Sequence, residues 1–152
     1  MSDSLILNAA EYAKLFHRGH KGADGLPILD HTARLAARMI LLPQVNAKLI
    51  ATTFLHDTLE WADYPDEQYA RLVDHFGYDI ADSVRAITVP RSWGDATLKA
   101  AEVARCKALS RGLKVLKMLD RTDMIQHSPV CAYRLLLQQE ALATADAVGD
   151  AD

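Results

Sequence analysis

An all-α fold built as one domain is the expectation for this chain, on three observations. Apolar residues recur at three- and four-residue spacing in nearly every segment, the pattern that one buried helix face requires. Runs of β-branched and aromatic residues bounded by turns, which would mark strands, are missing. The 152 residues and 16.8 kDa suit a single core that needs no disulfide or zinc staple.

The elements follow in order. A first helix is expected over 5–20, with Leu5, Ala9, Tyr12, Ala13 and Phe16 on one stripe and Ser2, Asp3 or Ser4 as its cap. Gly19, Gly22, Gly25 and Pro27 then make a loop. A short helix over 31–41 should stop near Pro43, and Asn46 is placed to cap a third helix running to about Ala62. Residues 63–66 break that helix. Asp66 can cap a fourth through Phe76, and Gly77 suits the left-handed position that ends it. A fifth helix covers 79–87, and residues 88–94, with Pro90 and Trp93, read as a loop. Asp95 or Thr97 opens a helix that closes at Gly112; two more, over 113–127 and 129–145, complete the bundle. Pro129 stands in a first turn, where its missing N–H costs nothing. The domain is thus read as 1–145, with 146–152 an acidic, small-residue tail that frays.

The 17 basic and 20 acidic residues are mixed along the chain and give a net charge of −3 and a pI near 6.0. No basic face is left to hold a nucleic-acid backbone, so nucleic acid is not an expected partner. Asp3, Glu11 and Lys14 interrupt the apolar start, and no later apolar run approaches the roughly 20 residues that span a bilayer, so no membrane is expected either. Cys106 and Cys131 form no CxxC pair and read as reduced thiols. The expected compartment is the cytoplasm.

Chemistry concentrates in His31, the adjacent pair His56-Asp57, and Asp120. Imidazole nitrogen and carboxylate oxygen suit divalent ions such as Mn²⁺, Fe²⁺ or Zn²⁺, and three separate helical segments offer them. Glu60 stands one turn beyond the pair, in place for a general base or acid acting on water. A lone His-Asp dipeptide is a weak signal, since His56 could satisfy a buried hydrogen bond and Asp57 could pair with an arginine. Phe54, Leu55 and Leu59 nevertheless surround the pair with apolar bulk, and burying it unpaired would cost about several kcal/mol. A metal ion would compensate that cost. Asp120 lies among Val115, Leu116, Met118 and Leu119, with an ion pair to Arg121 or Lys117 as the plainer reading. Lys117 either neutralises developing charge or snorkels from an apolar helix. His17 and His20 read as caps at a helix C-terminus, and His75 and His127 as cap or surface residues. Trp61 and Trp93 are either a stacking surface for a base or core aromatics.

Together the run HRGHKGADGLPILDH over 17–31, ATTFLHDTLE over 51–60, Phe76-Gly77, Ile87-Thr88 and VLKMLDR over 115–121 resemble the HD-superfamily hydrolase domain of RelA/SpoT-type alarmone enzymes. Order and spacing agree over about 11–127, and the chain looks most like the stand-alone small alarmone hydrolases. The resemblance implies one Mn²⁺ held by His31, His56, Asp57 and Asp120, with Glu60 helping to activate water. It implies a nucleotide substrate losing a 3′-pyrophosphate, or, as in some relatives, a phosphate from NADPH. Arg91 falls where the family carries a basic residue in its substrate loop, and Lys117 joins it as a candidate phosphate partner; a guanidinium suits bidentate contact with phosphate. Four positions depart from the family pattern. Trp61 replaces a second acid after Glu60, Gly22 replaces a basic residue that packs on the base, Ile28 replaces an aromatic, and Met124 replaces an asparagine. They imply altered substrate specificity. A broader phosphomonoesterase, acting on NADPH or 5′-nucleotides, and a degenerate nucleotide-binding module stay open beside the main reading, as does a homo-oligomer.

Overall fold

The structure, a computed structural model, describes residues 2–22, 24–43, 45–89, 95–127, and 138, 139, 142, 143, 145 and 146. Arg91, Trp93, Cys131, most of the helix expected over 129–145, and the tail from 147 lie outside the described residues. The described elements are α1 (Ser2–Phe16), α2 (Ile28–Ile40), α3 (Ala47–Leu55), α4 (Pro65–Phe76), α5 (Tyr78–Ile87), α6 (Asp95–Ala108) and α7 (Arg111–His127). The one extended pairing among the described residues is an isolated bridge between Lys21 and Pro27. None of the described helices is long and apolar enough to cross a membrane.

Helix α3 is the axis of the bundle, packed against α1, α2, α5 and α7. Its composition explains this: Ile50, Ala51, Thr52, Thr53 and Leu55 are all buried, so α3 is covered nearly all round. One cluster, on the side of α1, α4 and α5, joins Ala9, Ala51, Leu55, Leu59, Leu72, Ile80, Ala81 and Val84. The expected stripe of α1 supplies Ala9 to it, with Leu5 and Tyr12 packed alongside. A second cluster, toward α2 and α7, joins Leu35, Met39, Ile87, Leu113 and Leu116. Each fully buried leucine or methionine contributes about 2 kcal/mol.

Local chemistry sets the ends that position the site. Asn46 caps α3 as expected, its side chain accepting from Leu49 N at 2.9 Å. At the other end the expectation of a helix reaching Ala62 fails, because the α-helix stops at Leu55. The Leu55 carbonyl accepts both the Thr58 N–H (2.9 Å) and the Thr58 hydroxyl (2.7 Å), which tightens the chain into successive turns through Trp61. His56 and Asp57 therefore stand at the mouth of α3 rather than along its side. Helix α1 stops at Phe16, short of the expected His20, and Gly19 at φ +85° turns the chain away. Helix α2 starts three residues earlier than expected, at Ile28.

The expected closure of α6 at Gly112 is also corrected. Helix α6 ends at Ala108, and Ser110 starts α7, with the Lys114 N–H on its carbonyl at 2.9 Å. Gly112 lies in the first turn of α7. A Cβ there would sit 2.9 Å from Leu49 Cδ2, so this glycine lets α7 approach α3.

Candidate functional site

Four segments converge at the end of α3: the N-terminal half of α2, the turn after α3, the C-terminal half of α7, and the loop leaving α1. The His31 Nε2 lies 3.2 Å from Asp120 Oδ1 and 3.9 Å from Asp57 Oδ2. The His56 Nε2 lies 3.3 Å from Asp57 Oδ1 and 3.8 Å from Asp120 Oδ1. One ligand atom each from His31, His56 and Asp57 fall within 4.8 Å of one another. These residues, spread over 89 positions of sequence from His31 to Asp120, thus share one small volume, with Asp120 against both imidazoles.

The second nitrogen of each ring fixes what the first can do. His56 Nδ1 is 2.8 Å from the Thr53 carbonyl, which can only accept, so Nδ1 carries a hydrogen and the neutral ring presents its lone pair at Nε2. That Nε2 is buried and has no hydrogen-bond partner. His31 Nδ1 is 2.8 Å from Asp123 Oδ2, again donating to an acceptor, and its Nε2 likewise faces the carboxylates. An orphaned, buried imidazole nitrogen beside two carboxylates fits a divalent cation and would be costly without one.

The carboxylates also draw positive charge on to both rings. Burial lowers the His31 pKa, but the hydrogen bonds and charges of Asp120 and Asp123 outweigh it and push His31 up to about 10. His56 is raised as well, burial being overcome by Asp57 and Asp120. Asp120 is held well below the usual carboxylate range: burial opposes this, but the two histidines and Lys117 prevail. The centre calls for positive charge between its carboxylates. Glu60 is raised, first by burial and then by the Asp57 charge, so its carboxyl retains a proton more readily than an ordinary glutamate.

Asp123 is the site residue that sequence reasoning missed. It is fully buried, holds the His31 Nδ1–H, and receives Arg34 Nη2 at 2.7 Å and Arg34 Nε at 3.0 Å. Its spacing of three from Asp120 on one helix was the available signal. Behind the site Lys117 is buried, 3.1 Å from Glu102 and 3.9 Å from Asp120 Oδ2, and Arg121 also pairs with Glu102. Lys117 therefore does not snorkel to the surface. His17 and His20 do not cap α1. His17 is 3 % exposed, its Nδ1 3.2 Å from that of His20, and its pKa is lowered to about 4, chiefly by burial. His20 in turn stacks on Trp61, centroids 5.0 Å apart at 27°. Arg91 lies outside the described residues.

No family profile matches the chain. It is 26% identical over 123 residues to the guanosine-3′,5′-bis(diphosphate) 3′-pyrophosphohydrolase MESH1 of Danio rerio, covering 79% of this chain and 67% of that one. It is 32% identical over 88 residues to the Oryza sativa subsp. japonica protein named "Probable GTP diphosphokinase RSH2, chloroplastic", covering 57% of this chain and 11% of that one. A solved structure of a metazoan ortholog of SpoT, which hydrolyzes ppGpp and plays a role in starvation responses, matches with a TM-score of 0.83 at 19% identity. That match covers 95% of this chain and 85% of the other. It bears on the fold and upholds the all-α reading.

Proposed function

We propose, for a chain that carries an HD-type hydrolase domain of the RelA/SpoT kind, that it hydrolyses a phosphorylated nucleotide. Removal of a 3′-pyrophosphate from a (p)ppGpp-like substrate is the reference reaction. The observation that carries the reading is the orphaned His56 Nε2, aimed with His31 Nε2 at Asp57 and Asp120.

His31, His56, Asp57 and Asp120 are the proposed holders of one divalent ion, Mn²⁺ being the choice that the resemblance implies. Bound there, such an ion supplies Lewis acidity toward a phosphoryl oxygen and lowers the pKa of water. The protein's own part is orientation and proton handling. Thr53 and Asp123 fix the two imidazole tautomers, so neither ring must reorganise when substrate arrives. Glu60 takes a proton from the water whose oxygen bonds to phosphorus and, as the P–O bond to the ribose oxygen breaks, returns that proton to the departing oxygen. Lys117 places positive charge behind Asp120, and Arg91 is the proposed clamp on the phosphate. A reducing, cytoplasmic setting is proposed from the buried free thiol of Cys106.

The test is release of phosphate and pyrophosphate in Mn²⁺ from guanosine and adenosine 3′-pyrophosphates, NADPH and 5′-mononucleotides. Turnover by the wild type that is lost in Asp57→Ala supports the reading and names the substrate class. A second reading, nucleotide binding without turnover, is favoured by one observation: Trp61, where the family has a second acid, is stacked on His20. Tight nucleotide binding with no product from any substrate would select it.

A further inference from the structure

Beside the proposed centre lies a cavity of about 290 Å³, lined by Phe16, His20, Trp61, Tyr64, Glu67 and Arg71 among others. It begins one residue from Glu60, and the Trp61 N–H closes a turn back on to the Asp57 carbonyl at 3.0 Å. Its size approaches the lower end of small-molecule sites. The wall on one side is aromatic: Trp61 and His20 stacked, with Phe16 beside His20 and Tyr64 largely exposed. The first turns of α4 add the exposed carboxylate of Glu67 and the exposed guanidinium of Arg71 to the lining, and Asp63 adds a second exposed carboxylate.

A lining that combines aromatic rings with a donor and two acceptors is the chemistry that receives a nucleobase, whose ring stacks and whose edge offers both N–H and carbonyl groups. Two carboxylates against the guanidinium of Arg71 leave the lining with no excess of positive charge, which does not suit a polyphosphate. The glycine loop gives a base little to rest on. Gly22 has no side chain, and a Cβ added to it would meet Asp24 Oδ1 at 3.1 Å, an oxygen already accepting from Leu26 N.

We propose that this cavity is the base subsite of the chain, with Trp61 as stacking plate and Arg71 and Glu67 as edge readers. The proposal rests on the nucleotide reading above for the choice of ligand, but its test does not need turnover. Binding of unphosphorylated nucleosides (guanosine, adenosine, cytidine, uridine) is measured by calorimetry on the full chain without substrate hydrolysis, for wild type, Trp61→Leu, Arg71→Ala and Glu67→Gln. Loss of stacking should weaken binding about tenfold or more in Trp61→Leu. Arg71→Ala and Glu67→Gln should change the order of preference among the four nucleosides. Mn²⁺ affinity, measured on the same proteins, should stay at the wild-type value, which separates a lost base subsite from a damaged centre. Arg71 and Glu67 are exposed, so their variants decide the matter should Trp61→Leu fail to fold. Absence of saturable nucleoside binding by the wild type, or binding unaltered in all three variants, would overturn the proposal even if the chain proved to be an active phosphohydrolase.

Discussion

Replacing Asp123 by asparagine keeps the shape of the side chain and removes the charge that accepts the His31 Nδ1–H at 2.8 Å. The His31 ring then loses the partner that fixes its tautomer, and Arg34 loses the anion it holds at 2.7 Å. We expect Mn²⁺ affinity to fall about 10- to 100-fold, read by equilibrium binding, while helical content by circular dichroism stays near wild type. Glu60→Gln makes the complementary case. It should abolish turnover and leave Mn²⁺ binding intact, because Glu60 is the proposed proton carrier and not a ligand; residual turnover near the wild-type rate would remove it from the reaction. The candidates His31, His56, Asp57 and Asp120 stood out in the sequence as polar residues inside apolar helices, but only the resemblance, not their spacing, put them at one centre; the fold brings them together. Asp123 did not stand out. Its partners His31 and Arg34 are 92 and 89 residues away, and a single aspartate one turn from another reads as a solvated face until the fold brings α2 against α7.

At the scale of elements, periodicity located the described helices and the turn chemistry located most of their ends. Asn46 and Gly77 acted as their residue types require, the first as an N-cap and the second at φ +81°, between α4 and α5. Two of the misplaced ends, that of α3 and the joint between α6 and α7, share a cause. Thr58 diverts the Leu55 carbonyl and halts α3, and Ser110 starts α7 two residues before Gly112, effects of side chain on backbone that apolar spacing does not carry. Two substitutions test this account by thermal unfolding. Asn46→Ala should cost about 1 kcal/mol by leaving the first turn of α3 without its cap. Gly77→Ala should cost about 1–3 kcal/mol through backbone strain alone, since a Cβ there would meet nothing within 4 Å. A Gly77→Ala protein as stable as wild type would show that the α4–α5 joint relaxes freely.

For the whole molecule, the buried charges are the main lever of pH on stability. Burial raises the Glu102 pKa, but Lys117 and Arg121 outweigh it and hold the carboxyl below its ordinary 4.5. A lowered folded-state pKa stabilises the fold above the unfolded value and loses that contribution as pH falls through the folded one. Stability should therefore decline as pH drops below about 4.5, and Glu102→Gln should flatten that decline. The same variant should be less stable at neutral pH by about 3 kcal/mol, because buried Lys117 and Arg121 would both lose the Glu102 carboxylate they share. These buried pairs stand directly behind the proposed metal centre, which joins α2, the turn after α3, and α7 in one site. The most direct measurement is Mn²⁺ stoichiometry and affinity for wild type, Asp57→Ala and Asp120→Ala. The account predicts one ion per chain in the wild type and loss of that ion in both variants; equal binding in all three proteins would contradict it.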